Sequence, residues 1–155
     1  MEGWVGPALI FLKGASLVVL SKAWKIKLKE LKVMPNSTKE QNLHDKIQII
    51  QALNYKKQGY TDIKVNNKKS RSGRPEKVGN YTPDLSATIN DHTTVCLIET
   101  NESIRDIQTI TKWKEFDRSG LNFHLIIPYS DFNLAKEIAK SNGITIDKYW
   151  YSNNY

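Results

Sequence analysis

The feature that most restricts the fold of this chain is a pair of strand-forming segments around a two-residue turn. Pro83-Asp84-Leu85-Ser86-Ala87-Thr88-Ile89 and the run from Thr93 to Thr100 flank Asn90-Asp91. Two β-prone runs about such a polar pair predict antiparallel neighbours joined by a tight turn. A shorter strand is expected just upstream, over Asp62 to Val65. Ahead of it, Ser37 or Thr38 can cap a helix running to about Lys57, with Leu43, Ile47, Ile50 and Leu53 or Asn54 at helical spacing and Gly59 as its stop.

Downstream the period alternates. Ser103 opens a helix to about Arg118, with Ile104, Ile107, Ile110 or Thr111, and Trp113 on one face. Asn122 to Pro128 is an apolar strand, Asp131 caps a helix through Lys140, and Ile144 to Trp150 forms a last strand. The order α-β-β-β-α-β-α-β predicts an α/β domain, a mixed sheet with helices against its faces. With 155 residues, 39% hydrophobic and 25% charged, the chain suits one globular domain and neither a disordered nor a fibrous one.

Composition removes several chemistries. A single cysteine, Cys96, excludes an intrachain disulfide and any cysteine-based zinc cage, and it reads as a small core side chain. His44, His92 and His124 are too scattered to suggest a metal site; His124 reads as a core or edge residue, His44 and His92 as surface positions. Trp113, Phe116, Tyr149, Trp150, Tyr151 and Tyr155 are expected to pack the core or its rim, with base stacking as the alternative for the terminal aromatics.

The formal charge of +7 makes a polyanion the first partner class to consider. The excess sits in two islands. Residues 56–77 hold eight Lys and Arg against Asp62 and Glu76, and residues 1–33 hold six lysines against Glu2 and Glu30. The second island contains the apolar run Trp4 to Leu20, broken by Gly6, Pro7 and Gly14 and carrying Lys13. Three explanations of residues 1–33 stand open: a weak anchor with the basic segment Lys22 to Lys32 on the cytoplasmic side, an added helix or strand, or an extension upstream of a true start at Met34. The domain proper is assigned to residues 34–155, and its expected location is cytoplasmic, with membrane contact confined to the anchor case.

Two carboxylates stand out. Asp84 opens one strand and Glu99 ends the next, so an antiparallel pairing carries both to one end of the sheet. Two such acids beside a lysine can hold Mg²⁺, which activates water and neutralises phosphate charge. The plainer account is a turn aspartate after proline and a solvated glutamate at a strand end.

A helix ending in Gly59-Tyr60, the basic loop Ser70-Arg71-Ser72-Gly73-Arg74, Pro83-Asp84 before an apolar strand, and Ile98-Glu99 ending the next resemble the PD-(D/E)XK nuclease superfamily over residues 38–151. The resemblance implies the restriction-endonuclease-like fold shared with archaeal Holliday-junction resolvases, and a Mg²⁺- or Mn²⁺-dependent cleavage of DNA. It assigns Asp84 and Glu99 as catalytic metal ligands, with the backbone carbonyl of Thr100 as a third. The motif lysine is replaced by Asn101 when Glu99 is taken as the acid, and Lys112 on the following helix is the relocated candidate. In the other register Glu99 takes the lysine position and Leu97 replaces the acid, which gives a dead site. Glu40 and Asp45 are candidate first-helix acids. Lys68, Lys69, Arg71, Arg74 and Lys77 are the expected phosphate contacts, which position a backbone without reading sequence; a solvated surface loop is the alternative. Some members dimerise, and a homodimer is carried as an expectation. The non-enzymatic alternative is a nucleic-acid-binding or assembly module on the same fold.

Overall fold

A computed structural model describes residues 39–152. The expectations for residues 1–33, the caps at Ser37 and Thr38, the Glu40 side chain and Tyr155 lie outside the described part. Helix α1 (Lys39–Lys57) leads to β1 (Thr61–Val65), β2 (Leu85–Ile89) and β3 (His92–Ile98). A 3₁₀ turn (Ser103–Arg105) precedes α2 (Ile107–Arg118) and β4 (Asn122–Pro128); a second (Tyr129–Asp131) precedes α3 (Phe132–Ser141) and β5 (Lys148–Ser152). The sheet runs β1-β2-β3-β4-β5, so every strand lies beside its neighbour in sequence. The first three strands are antiparallel, and β4 and β5 run parallel to β3.

The hairpin turn explains the antiparallel half. Ile89 pairs with His92, and Asn90 and Asp91 adopt φ of 49° and 62°. Both central residues of such a turn need positive φ, which Asn and Asp bear better than other non-glycine residues. The parallel half follows from helices α2 and α3, which carry the chain back before each new strand.

Strand alternation divides the core into two layers. Leu85, Ala87, Cys96, Ile98, Ile126 and Trp150 face α1, which supplies Ile47, Ile50 and Tyr55. Val95, Leu97, Phe123, Leu125 and Ile127 face the other way, toward Trp113 and Phe116 of α2 and Ala135 and Ala139 of α3. Cys96 is fully buried, as expected. His124 is buried too: its Nδ1 lies 2.8 Å from Tyr55 Oη and accepts from Trp150 Nε1 at 3.4 Å. The tryptophan can only donate, so Nδ1 is an acceptor and the tyrosine hydroxyl donates to it.

Three boundaries differ from expectation. The helix expected from Ser103 is broken at Asp106, whose extended backbone and side chain, accepting from Gln108 N, start α2 afresh at Ile107. Asp131 makes no capping hydrogen bond to α3; its Oδ1 accepts from Arg105 Nη2 at 2.9 Å. The last strand begins at Lys148, because Ile144 is buried in the layer under α2 and α3 while Asp147 N donates to Phe123 O. No helix among the described residues is long and apolar enough to cross a membrane.

Candidate functional site

The two acids singled out from sequence lie at the same end of the sheet. Asp84 sits just before β2 and Glu99 just after β3, where the parallel strands β3 and β4 also end. Loops beyond the carboxyl ends of such strands are the usual place for a ligand in an open α/β sheet.

Asp84 is held from every side. Its N–H donates to Cys96 O at 3.0 Å, and its carbonyl accepts from Asn66 N at 2.8 Å and from Gln48 Nε2 at 3.4 Å. In the carboxylate, Oδ2 accepts from Ile98 N at 2.7 Å, and Oδ1 lies 3.1 Å from His44 Nε2. The side chain is 17% exposed, so a fixed carboxylate edge still meets solvent.

Glu99 is different. It is 1% exposed, and both oxygens are engaged by donors from the next elements. Oε1 lies 2.7 Å from Lys112 Nζ and accepts from Trp113 Nε1 at 3.1 Å, while Oε2 accepts from Ser103 Oγ at 2.6 Å. Ser103 and Thr100 lock the connecting turn: Thr100 N donates to Ser103 Oγ at 2.8 Å and Ser103 N to Thr100 Oγ1 at 3.1 Å. The Thr100 carbonyl accepts from Ile104 N at 3.1 Å, which commits it to the turn. A buried carboxylate requires this density of donors, because an unpaired one would be strongly penalised.

The acids therefore share an edge but are gripped by different helices, Asp84 from α1 and Glu99 from α2. His44 links the two halves electrostatically. Burial acts to lower its pKa, yet the hydrogen bond to Asp84 and the charges of Asp84, Asp45 and Glu99 together raise it above the ordinary histidine value. Asp45 is itself nearly buried and accepts from Gln41 Nε2 at 2.8 Å.

The basic residues split. Lys68, Lys69 and Arg74 line an open cleft of about 370 Å³ with Gln41, Asp45, Asn66 and Asn67, and Asn66 is the residue bonded to the Asp84 carbonyl. Arg71 is exposed on the same loop. Lys77 lies elsewhere: it lines a second cleft of about 210 Å³ with Glu76, Ser86, Thr88 and Val95, on the opposite sheet face. Lys77 thus lies apart from the cleft of Lys68, Lys69 and Arg74.

Among the described residues no group of three or more His, Cys, Asp and Glu side chains converges in a metal-holding arrangement. Mg²⁺ does not demand one, since one or two carboxylates with waters and substrate phosphates suffice. Asp84 keeps a solvent-facing carboxylate edge, whereas both oxygens of Glu99 are taken up by Lys112, Trp113 and Ser103.

Sequence reasoning missed His44, Gln48, Ser103 and the indole of Trp113 as partners of the two acids. For His44 a signal existed. It stands three and four residues before Ile47 and Gln48, both buried toward the sheet, so helical spacing places it on the same face. Ser103 is legible only as a possible cap, and nothing in the sequence marks its hydroxyl for Glu99.

No protein-family model matches the chain, and no curated protein or solved structure is similar enough to count as a match.

Proposed function

We propose that this domain has the restriction-endonuclease-like fold and is a DNA-binding, Mg²⁺-dependent phosphodiesterase. The observation that carries this is the placement of Lys112 Nζ 2.7 Å from Glu99 Oε1, at the sheet edge where Asp84 also presents its carboxylate. A lysine on the helix after β3, paired with Glu99, supports Lys112 as the replacement for the missing motif lysine. When bound, the metal supplies an activated water and neutralises charge on the phosphate. Asp84, oriented by Ile98 N and His44, would hold the metal through its open carboxylate edge, with Glu99 as the second acid that would serve it. Lys112, beside Glu99, would supply the cation that the motif lysine supplies in the family. Lys68, Lys69 and Arg74 hold the backbone of the strand by neutralising its phosphates.

One observation favours the non-enzymatic alternative, a nucleic-acid-binding module. Glu99 already satisfies three donors at 1% exposure, which suits an internal anchor as well as a ligand.

Cleavage of branched, nicked and linear DNA in Mg²⁺ or Mn²⁺ separates the two, with wild type set against Asp84→Asn. Metal-dependent cleavage lost in the variant is the expected result. DNA binding without cleavage on any substrate selects the binding module, and failure to bind DNA overturns both. Replacing Lys68, Lys69 and Arg74 with alanine should reduce the slope of log affinity against log salt by about 2.7, at about 0.9 per phosphate neutralised.

A further inference from the structure

We infer that the sheet end next to Glu99 also takes an unpaired nucleotide, with Tyr129 as its stacking surface and Arg105 as the contact for the adjoining phosphate. The inference rests on the nucleic-acid reading above and adds a preference for DNA with a single-stranded segment at this edge.

Large apolar side chains are rarely left exposed on this domain. Among the described residues only Ile107, at 79%, and Tyr129, at 52%, are. Both lie at the carboxyl end of the sheet: Tyr129 follows β4 directly, and Ile107 begins α2 after the turn that leaves β3. The Arg105–Asp131 pair joins their two turns. Arg105 Nη2 donates to Asp131 Oδ1 at 2.9 Å, and its Nη1 donates to the Asn101 carbonyl. Asp131 is 4% exposed, so the arginine is anchored at a buried acid while its own side chain stays 55% exposed. A guanidinium has five N–H donors, so these two contacts leave donors directed at solvent and fixed in place. An arginine held this way suits a phosphate better than a mobile lysine, because less rotamer freedom is lost on contact.

Tyr129 is equally well held. Its ring packs T-shaped on Tyr151, with centroids 5.4 Å apart at 87°, and Tyr151 packs in turn on Phe132 at 5.0 Å. A supported aromatic ring with half its surface open is the element that binders of single strands use to stack a base. The phosphate is not expected at the N-terminus of α2, since the Asp106 carboxylate already caps it.

The spacing fits one strand crossing the edge. Glu99 N bonds Ile126 O on β4, and Tyr129 lies three residues further on. With strands ~4.8 Å apart and ~3.3 Å per residue, Tyr129 stands about 10 Å from Glu99. That distance is short enough for one strand to reach from the Glu99 edge to the Tyr129 ring. A base paired in a duplex cannot reach this ring without leaving its stack; an unpaired one can.

The test is a fluorescence-anisotropy titration at fixed salt, using labelled oligo-dT and a duplex of equal length, with the full chain. Tyr129→Ala should weaken the single strand by about fivefold to a hundredfold, the range given by base–aromatic stacking, and leave the duplex within about twofold. Tyr129→Trp should restore single-strand binding. Arg105→Lys, which keeps a cation for Asp131 while losing the planar fork, should weaken the single strand more than the duplex. Ile107→Ser should change neither. Equal losses on both probes, no loss on either, or loss with Ile107→Ser matching that of Tyr129→Ala would overturn the inference. The nucleic-acid reading would survive such a result if the Lys68, Lys69 and Arg74 variant still loses affinity for both probes. Wild type binding neither probe overturns the two together.

Discussion

Glu99 and Lys112 give the sharpest test of the site, because their interaction energy can be measured without substrate. Glu99 is 1% exposed and Lys112 24% exposed, with 2.7 Å between Oε1 and Nζ. Lys112→Met leaves the carboxylate buried with Trp113 and Ser103 as its remaining donors. Removing one partner of a buried pair typically costs about 3–5 kcal/mol. The two neutral donors and the partial exposure of Lys112 reduce this to about 2–3 kcal/mol. Glu99→Gln costs less, about 1.5 kcal/mol, since the amide oxygen still serves Trp113 and Lys112 and its NH₂ can donate to Ser103 Oγ. In the double variant the loss should fall short of the sum, giving a coupling of about 1–2 kcal/mol. Urea unfolding of the four proteins at pH 7, with unchanged m-values, is the assay; in a thermal scan Lys112→Met should lower Tm by about 4–12 °C at ~2–4 °C per kcal/mol. Single losses under about 0.5 kcal/mol with no coupling are what a solvated surface pair gives. That result would refute the claim that Glu99 is anchored by Lys112, and with it the placement of a cation at the site.

Two histidines make opposite predictions for pH. The pKa of His44 is raised in the folded state, so its contribution to stability is fully present below the unfolded value of about 6.5 and is lost as pH rises through the folded value. The unfolding free energy of wild type minus that of His44→Gln should therefore shrink between pH 6 and pH 8.5 (roughly the histidine range), and Asp84→Asn should flatten the trend; a difference independent of pH in both backgrounds contradicts the His44–Asp84 contact. His124 is pushed down to about 3, first by burial and then by the Lys148 charge. The unfolded chain takes up this proton first, so stability falls as pH drops from about 6.5 toward 3. At 1.36 kcal/mol per unit, wild type should lose about 3 kcal/mol more than His124→Gln between pH 6.5 and pH 4, read from urea midpoints; equal losses would mean that His124 is solvated.

What could be read from the sequence was local. The Asn90-Asp91 turn fixes an antiparallel pair, and that pair alone sends Asp84 and Glu99 to one edge. Lys112 comes from the family resemblance, as the lysine on the helix after Glu99 to which the motif lysine can relocate. Contacts that depend on tertiary approach left no such trace. Ser103 and Asp131 read as helix starts in the sequence, yet α2 is capped by Asp106, and Asp131 is claimed by Arg105. Gln48 carries no signal in the sequence, yet it is 1% exposed and donates to the carbonyls of Asn66 and Asp84. The basic island shows the limit most clearly. Eight Lys and Arg in residues 56–77 form one object in sequence, but β1 is an edge strand, and the chain after it passes from one face of the sheet to the other. Lys68, Lys69 and Arg74 end beside Asp45 and Asn66 under the first helix, whereas Lys77 and Lys64 end beside Glu76 and Asp62 on the opposite face. On the DNA-binding proposal, the cleft that holds Lys68, Lys69 and Arg74 should account for a salt slope of about 2.7, three neutralised phosphates, and not for the value of about 7 that all eight cations of the island would give.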